Sequence, residues 1–326
     1  MKKRICTLLL ALCLTLGLLP AAAQAAGDGS GTFDTVRWTL DADGGLTVSG
    51  TGDLPDSAFA GRTDIVTVTF TGQVARIGRS AFAGCTQLRR VDGFGAVTCV
   101  MSQAFAGCTA LTELAVPGTV AEIGTGAFSA CTGLTAVTLA PGVRSLGAYA
   151  FAACTALRRI DLPDGMTLLG SGLFSGCTAL TELPLPDDVA WVEPRLCENC
   201  TALQNIVLPA AMTEVPRGLL RGCTGLRRVT LQGAVTAVGN GAFAGCDALA
   251  DVYFTGTRAQ WDAVAVGANN ARTCPRPRTR TRRRGRSSAR RPARTTACAR
   301  APASTPAAAK RCPRRSRRSA TTGTTA

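Results

Sequence analysis

Histidine is absent from the 326 residues, and residues 27 to 270 contain no lysine. The first absence removes the commonest general base and, after cysteine, the commonest zinc ligand. The second removes lysine-based covalent chemistry. Carboxylates are scattered, with no pair recurring along the chain, so neither catalysis nor a cofactor or metal site is expected. Beyond the first two dozen residues no run is long and apolar enough to span a bilayer.

Charge is plentiful but unevenly placed. The formal net charge is +15, yet residues 271 to 326 hold 17 Arg and Lys310 with no acid, and the first four residues hold Lys2, Lys3 and Arg4. Residues 27 to 270 therefore carry 15 basic against 21 acidic groups and are mildly acidic. A nucleic-acid-binding body does not follow from the overall basicity.

What dominates the chain is a period. Cysteines 85, 108, 131, 154, 177, 200, 223 and 246 stand 23 residues apart without a slip, and Arg62 holds the position one period upstream. A fixed period of this length marks a solenoid. Counted from each cysteine, apolar residues recur at 0, +3, +6, +8, +12, +15 and +20; in one copy these are Cys131, Leu134, Val137, Leu139, Val143, Leu146 and Phe151. The +6/+8 spacing puts two side chains on one face of a strand. Pro117, Pro163, Pro186 and Pro209 end that strand, because proline has no N–H to donate. A pair such as Ile123-Gly124 then turns the chain across the far side, and an Ala-Phe pair returns it. Where other coils carry Ala-Phe, two carry Leu196-Cys197 and Leu219-Leu220, a compensation of volume expected in a packed interior.

The pattern C-T-x-L-x-x-[VIL]-x-L-P-x-x-V-x-x-[IVL]-G-x-x-A-F-x-G resembles the BspA-type leucine-rich repeat of bacterial surface proteins. It covers residues 59 to about 254. Flanking it, the stretch from Trp38 to Gly52 resembles the family's opening hairpin, and the stretch from Val252 to Trp261 its closing segment. The resemblance implies a secreted or surface-displayed protein used in binding and adhesion, without a common active site. The chain departs from leucine-rich repeats at large in lacking the asparagine after the strand; Gly142 stands there, so no asparagine ladder is expected.

The expected fold is thus a leucine-rich-repeat solenoid of about nine 23-residue coils. It is built mostly from short parallel β-strands, with irregular or short helical returns and an N-terminal β-hairpin cap. Residues 1 to 25 read as a signal peptide, with a charged start, an apolar run from Ile5 to Leu19 and the small-x-small Ala23-Gln24-Ala25. Residues 27 to 58 comprise a Gly/Ser leader, then strands Thr35–Leu40 and Leu46–Ser49 joined at Asp43-Gly44. The array runs from 59 to 254 and a C-terminal cap from 255 to 270. Residues 271 to 326 draw almost wholly on Ala, Arg, Thr, Pro, Ser, Gly and Cys, whose codons carry C or G in the second position. This is the alphabet of a GC-rich gene read out of frame. The rival reading is a genuine disordered basic arm, which lacks aromatics for base stacking and so implies no specific nucleic acid.

Of fifteen cysteines, two lie in the signal and three in the tail. Eight of the other ten form one column, read as small buried side chains with free thiols. Cys197-x-x-Cys200 lacks further ligands for zinc, with Cys197 in the phenylalanine column. Cys99 stands off the core columns as a candidate exposed reactive thiol.

Outward strand positions are +4, +5 and +7. They carry three arginine pairs, Arg89-Arg90, Arg158-Arg159 and Arg227-Arg228, which would grip an acidic partner. Each second arginine also meets an acid one coil later: Arg90 with Glu113, Arg159 with Glu182, Arg228 with Asp251. That alternative makes them surface charge balance. At +14, Trp191 with Leu168 one coil earlier forms either an apolar patch for a partner or a cover over the coil edge. The combined reading is an exported, non-catalytic binding module that recognises a protein or glycan. The alternatives are a structural spacer carrying other surface domains or, with a genuine tail, a polyanion-binding surface protein.

Overall fold

The computed structural model describes residues 29–166 and 168–270 in full and the backbone of Arg278–Thr279. The expected signal at 1–25 and nearly all of the basic tail lie outside the described residues.

Nine coils stack at the 23-residue period, and every apolar column read from the pattern points inward. In the copy that begins at Cys131, all seven column residues are buried, none above 7% exposed. The strand at +5 to +8, Ala136–Leu139 in this copy, alternates exposed and buried residues. It pairs in parallel with Glu113–Val116 before it and Arg159–Asp161 after it. Strands end at Val116, Asp161 and Val207, directly or two residues before the prolines expected to stop them.

A second sheet lies where the pattern suggested only a turn. Residues +14 and +15 form two-residue strands, as at Glu122–Ile123 and Ser145–Leu146, that pair in parallel from coil to coil. Two residues are too few for alternation to show in sequence. The glycine that follows at +16 permits the close approach. Its N–H donates to the preceding coil at 2.7 Å from Gly124, 2.7 Å from Gly147 and 2.8 Å from Gly170. A Cβ on Gly147 would lie 2.6 Å from the Thr125 nitrogen, and one on Gly170 2.3 Å from that of Ala148. The returns are tight turns; the only helix among the described residues is α1, Arg258–Asp262, in the C-terminal segment.

Within the returns, the phenylalanines stack. Successive centroids from Phe59 through Phe82, Phe105, Phe128 and Phe151 are 5.0 to 5.5 Å apart, and Phe174 follows at 6.1 Å. Leu173 replaces alanine beside Phe174 while the ring is kept, so this coil gains volume, and the exchange of a smaller second residue for a larger first one starts at Leu196-Cys197. Leu196, Cys197, Leu219 and Leu220, the two exchanged pairs, are all fully buried.

Each end is closed by its own device. At the N-terminus the cap has three strands, β1 (Ser30–Phe33), β2 (Val36–Leu40) and β3 (Gly45–Leu54), so the leader contributes a strand that its composition did not reveal. β3 is long enough to pair with the next coil in both sheets, at Thr67–Phe70 and Gln73–Ile77. Phe33 and Trp38 then meet the edge of Phe59, 5.6 and 5.5 Å from its ring. Gly44, at φ +82°, turns the hairpin, and a Cβ there would lie 2.6 Å from the Asp64 carbonyl oxygen.

At the other end, α1 carries a reciprocal Thr257–Gln260 capping box. Trp261 packs on Phe254 at 5.5 Å. Throughout the array the +20 amide donates to the next coil, as Phe128 N–H does to the Ala150 carbonyl at 2.8 Å. Among the described residues no further full coil follows Phe243, and the Asn270 side chain takes the place of the next coil's carbonyl, accepting the Phe243 N–H at 3.1 Å. The Asn270 amide in turn donates to Gly239 and Gly267. Beyond it, the backbone of Arg278–Thr279 pairs in parallel with Tyr253–Phe254.

Candidate binding site

The cysteine column has a role its burial alone does not explain. Each of the eight thiols donates to a carbonyl of the preceding coil at 3.0 to 3.2 Å: Cys85 to Phe59, Cys108 to Phe82, and so on to Cys246 with Leu220. All eight are free thiols. Their hydrogens are committed to backbone, and parallel stacking does not aim them at one another. Burial pushes the Cys85 and Cys246 thiols up to about 12 and raises those of Cys154, Cys177 and Cys223 as well. Neighbouring thiols, then burial, raise Cys108 and Cys200. The column is inert scaffold.

Cys99 does not fit the expected reactive thiol. It is half-buried in the second sheet with its sulfur 3.7 Å from that of Met101, and burial together with Glu122 raises its pKa. Among the described residues, no group of three or more Cys, Asp or Glu is placed to hold a metal ion.

On the strand face, the arginine pairs divide by position. Of the inner members, Arg159 bridges to both Asp161 and Glu182, and Arg228 reaches Asp251 at 3.5 Å while lying 5.1 Å over the Tyr253 ring. Arg90 instead turns to Asp92 within its own strand at 2.8 Å, not to Glu113 as expected. The strand ladder is not continuous there, because Arg90–Asp92 pairs only with the coil before it. The outer members Arg89, Arg158 and Arg227 are exposed, with no ion pair among the described residues. Three coils separate each from the next, about 14 Å at the strand spacing, so the three do not converge on one small ligand.

The residues that do converge lie around one coil, Cys177–Asn199. Both sheets break here: no strand forms at its +14/+15 pair, and only the bridge Arg159↔Glu182 continues the first ladder. Pro184 stands at +7, inside the strand rather than after it, and removes a ladder donor. On the second sheet, Glu193 holds the +16 position, and its N–H reaches Leu169 at 3.1 Å, longer than the glycine bonds. One coil later Pro216 has no N–H to give there. Large apolar side chains are left in solvent beside the break: Trp191 52% exposed, Val207 53% and Leu168 40%.

Three concavities border this coil and the coils after it. A strand-face groove of about 430 Å³ is lined by residues including Arg159, Glu182, Pro184 and Val207. A groove of about 460 Å³ on the second sheet runs along Trp191, Pro216 and Val266; Leu168 is not part of it. A cleft of about 430 Å³ on the return side gathers Arg195, Arg217 and Arg221. These last three were not singled out in the sequence. They stand in three different columns, +18, +17 and +21, so no single repeat position marks them.

Stacked parallel strands at 23-residue spacing around a leucine-rich core define a leucine-rich-repeat solenoid. The chain belongs to the BspA type leucine rich repeat family, whose profile matches six copies over residues 52–177 and 144–265. A leucine-rich repeat protein from Bacteroides ovatus has a similar fold, with TM-score 0.52 and 24% identity over 69% of this chain and 71% of that one. The chain is also similar to a leucine rich cell surface protein from Faecalibacterium prausnitzii, with 19% identity over 73% of this chain and 98% of that one and TM-score 0.41. A third likeness is to a leucine rich repeat protein of Treponema pallidum, with 24% identity over 68% and 91% and TM-score 0.48. No curated protein matches the chain. No helix among the described residues is long and apolar enough to cross a membrane.

Proposed function

We propose that the chain is a surface-displayed, non-catalytic binding module whose strand face takes a protein or glycan partner at the interrupted coil. One observation carries the reading. The sheet opens beside Pro184 into a groove that sets the exposed Val207 next to the charged Arg159–Glu182 pair. An apolar anchor beside a polar, orienting pair is what a recognition hot spot needs. Membership of a repeat family found on bacterial surfaces supports display at a surface, as does the signal-like start of the chain. The lack of histidine, and of lysine across the array, supports a non-catalytic role.

The test is retention of labelled extracellular proteins and surface glycans on the immobilised full chain. A Val207→Asp, Arg159→Ala variant with unchanged melting should lose at least one retained component. If the wild-type chain retains nothing, the spacer reading replaces this one. If the variant retains every component, the partner uses another face.

A further inference from the structure

The return-side cleft has chemistry of its own. Its guanidiniums come from successive coils: Arg195 from one, Arg217 and Arg221 from the next. Among the described residues, the only carboxylate paired with them is Glu198, 3.8 Å from Arg195 and 3.7 Å from Arg221. Arg217 has no ion pair among those residues, so the cleft keeps two positive charges in excess. Arg195 also sits at φ +63°, in a turn column that Gly172 and Gly218 fill in the coils on either side and that Ser57, Ser80, Gln103 and Tyr149 fill at φ +53° to +59° elsewhere. The column accepts side chains, and here it carries an arginine into the lining of the cleft.

Arg217 is shared with the neighbouring groove, where Trp191, Pro216 and Val266 form an apolar shelf. Glu214 also lines this shelf, and the Trp191 indole N–H points to Glu193 at 3.4 Å. Arg217 thus stands where shelf and cleft meet, with acids along the shelf and an excess of arginine in the cleft.

We propose that shelf and cleft together bind an acidic carbohydrate. One sugar ring lies on the exposed Trp191 indole, and its carboxylate or sulfate enters the arginine cleft. The apolar face of a pyranose suits an aromatic surface. Planar guanidiniums match carboxylate and sulfate oxygens in pairs. Sugar hydroxyls supply the donors that Glu193 and Glu214 accept. An acidic peptide fits less well, because its further carboxylates would meet those two glutamates. The inference rests on the binding-module reading but places a second site on a different face.

Trp191 is a local reporter for the test. Its emission is followed in the full chain during titration with trigalacturonate, a heparin tetrasaccharide, maltotriose and pentaglutamate, and Trp191→Phe gives the background. Anions held by the basic tail do not change a signal defined by that subtraction. A saturable shift is expected with trigalacturonate or the heparin fragment and none with maltotriose. Arg195→Gly, which suits the turn, and Arg217→Gln should each weaken binding about tenfold, as for one lost charge-assisted hydrogen bond. The site is overturned by the absence of a shift with both acidic sugars, or by a shift that survives in the double variant. A tighter response to pentaglutamate overturns the carbohydrate assignment. Failure here with intact strand-face retention removes this site alone, whereas failure of both removes the binding reading.

Discussion

The coil beginning at Cys131 and the coil beginning at Cys177 share their buried columns except at +8, where Leu139 is buried and Leu185 only partly so, yet they differ in their sheets. The first is paired in both sheets on both sides. The second is paired in neither beyond a single bridge. What crosses the break intact is the return. Gly172, Phe174 and Gly176 donate to Pro194, Leu196 and Glu198, and Arg195, Cys197 and Asn199 donate onward to Arg217, Leu219 and Arg221. The thiol bonds also continue, from Cys200 to Phe174 and from Cys223 to Cys197. Across the break the register of this solenoid is held by its returns and thiols, which leaves the sheets free to open there.

The largest expected effect tests the thiols. Their pKa values are raised in the folded chain above the ordinary value near 9. Below that value both states hold the proton and stability is unaffected. Above it the unfolded chain loses protons that the folded chain keeps, so stability falls as pH rises from 9 toward 12. Each thiol contributes a loss of about 1.4 kcal/mol per pH unit in that window, and the column acts together. The array has no lysine to titrate alongside. Under reducing conditions, cooperative unfolding with a matching rise in thiolate absorbance is expected well below pH 12. Thiolate appearing without loss of circular dichroism would show the column to be accessible and unimportant.

Next come the phenylalanines. Phe128→Ala removes a ring from the middle of the continuous stack and should cost about 3–5 kcal/mol. Cys197→Ala, in the same column of the open coil, deletes only a sulfur and should cost much less. Similar denaturant midpoints for the two would mean that the stack is not what sustains the regular half.

Asn270→Leu tests the end of the return ladder. It leaves the Phe243 N–H buried without an acceptor, which should cost about 1–3 kcal/mol. In a solenoid that loss should appear first as fraying of the last coil. Exchange of the Phe243 amide should therefore accelerate, while that of Phe128 does not.

Much of this was legible in the sequence because each core column repeats apolar residues at a fixed spacing. The cysteines, the +6/+8 alternation and the Ala-Phe pair each announced a buried position, and all are buried save Leu185 at +8, which is partly so beside the break. The second sheet was hidden by its two-residue strands, and its signal was instead the glycine at +16. Asn270 occurs once, outside the period, so no repetition marked it. Arg90 misled because a match one coil away presumes a ladder that is continuous at that point. The return-side arginines occupy three different columns, and only the folded turn brings them to one cleft.

The smallest expected effect separates the two causes of the break. Pro184 interrupts the first sheet, whereas Glu193 and Pro216 interrupt the second. Pro184→Thr restores the donor that Thr138 and Thr230 offer at the same position in other coils. One hydrogen bond gained contributes about 1 kcal/mol, offset by the greater freedom of the unfolded chain without the proline. The melting temperature should therefore hardly move. The readout is the amide that the substitution introduces, which should exchange as slowly as that of Thr138, while the strand-face groove closes around Val207. Trp191 emission should stay unchanged, because its side of the coil is held apart by different residues. If restoring the first sheet also alters Trp191, the two openings are one coupled event. The strand-face and return-side sites would then be linked and would not bind independently.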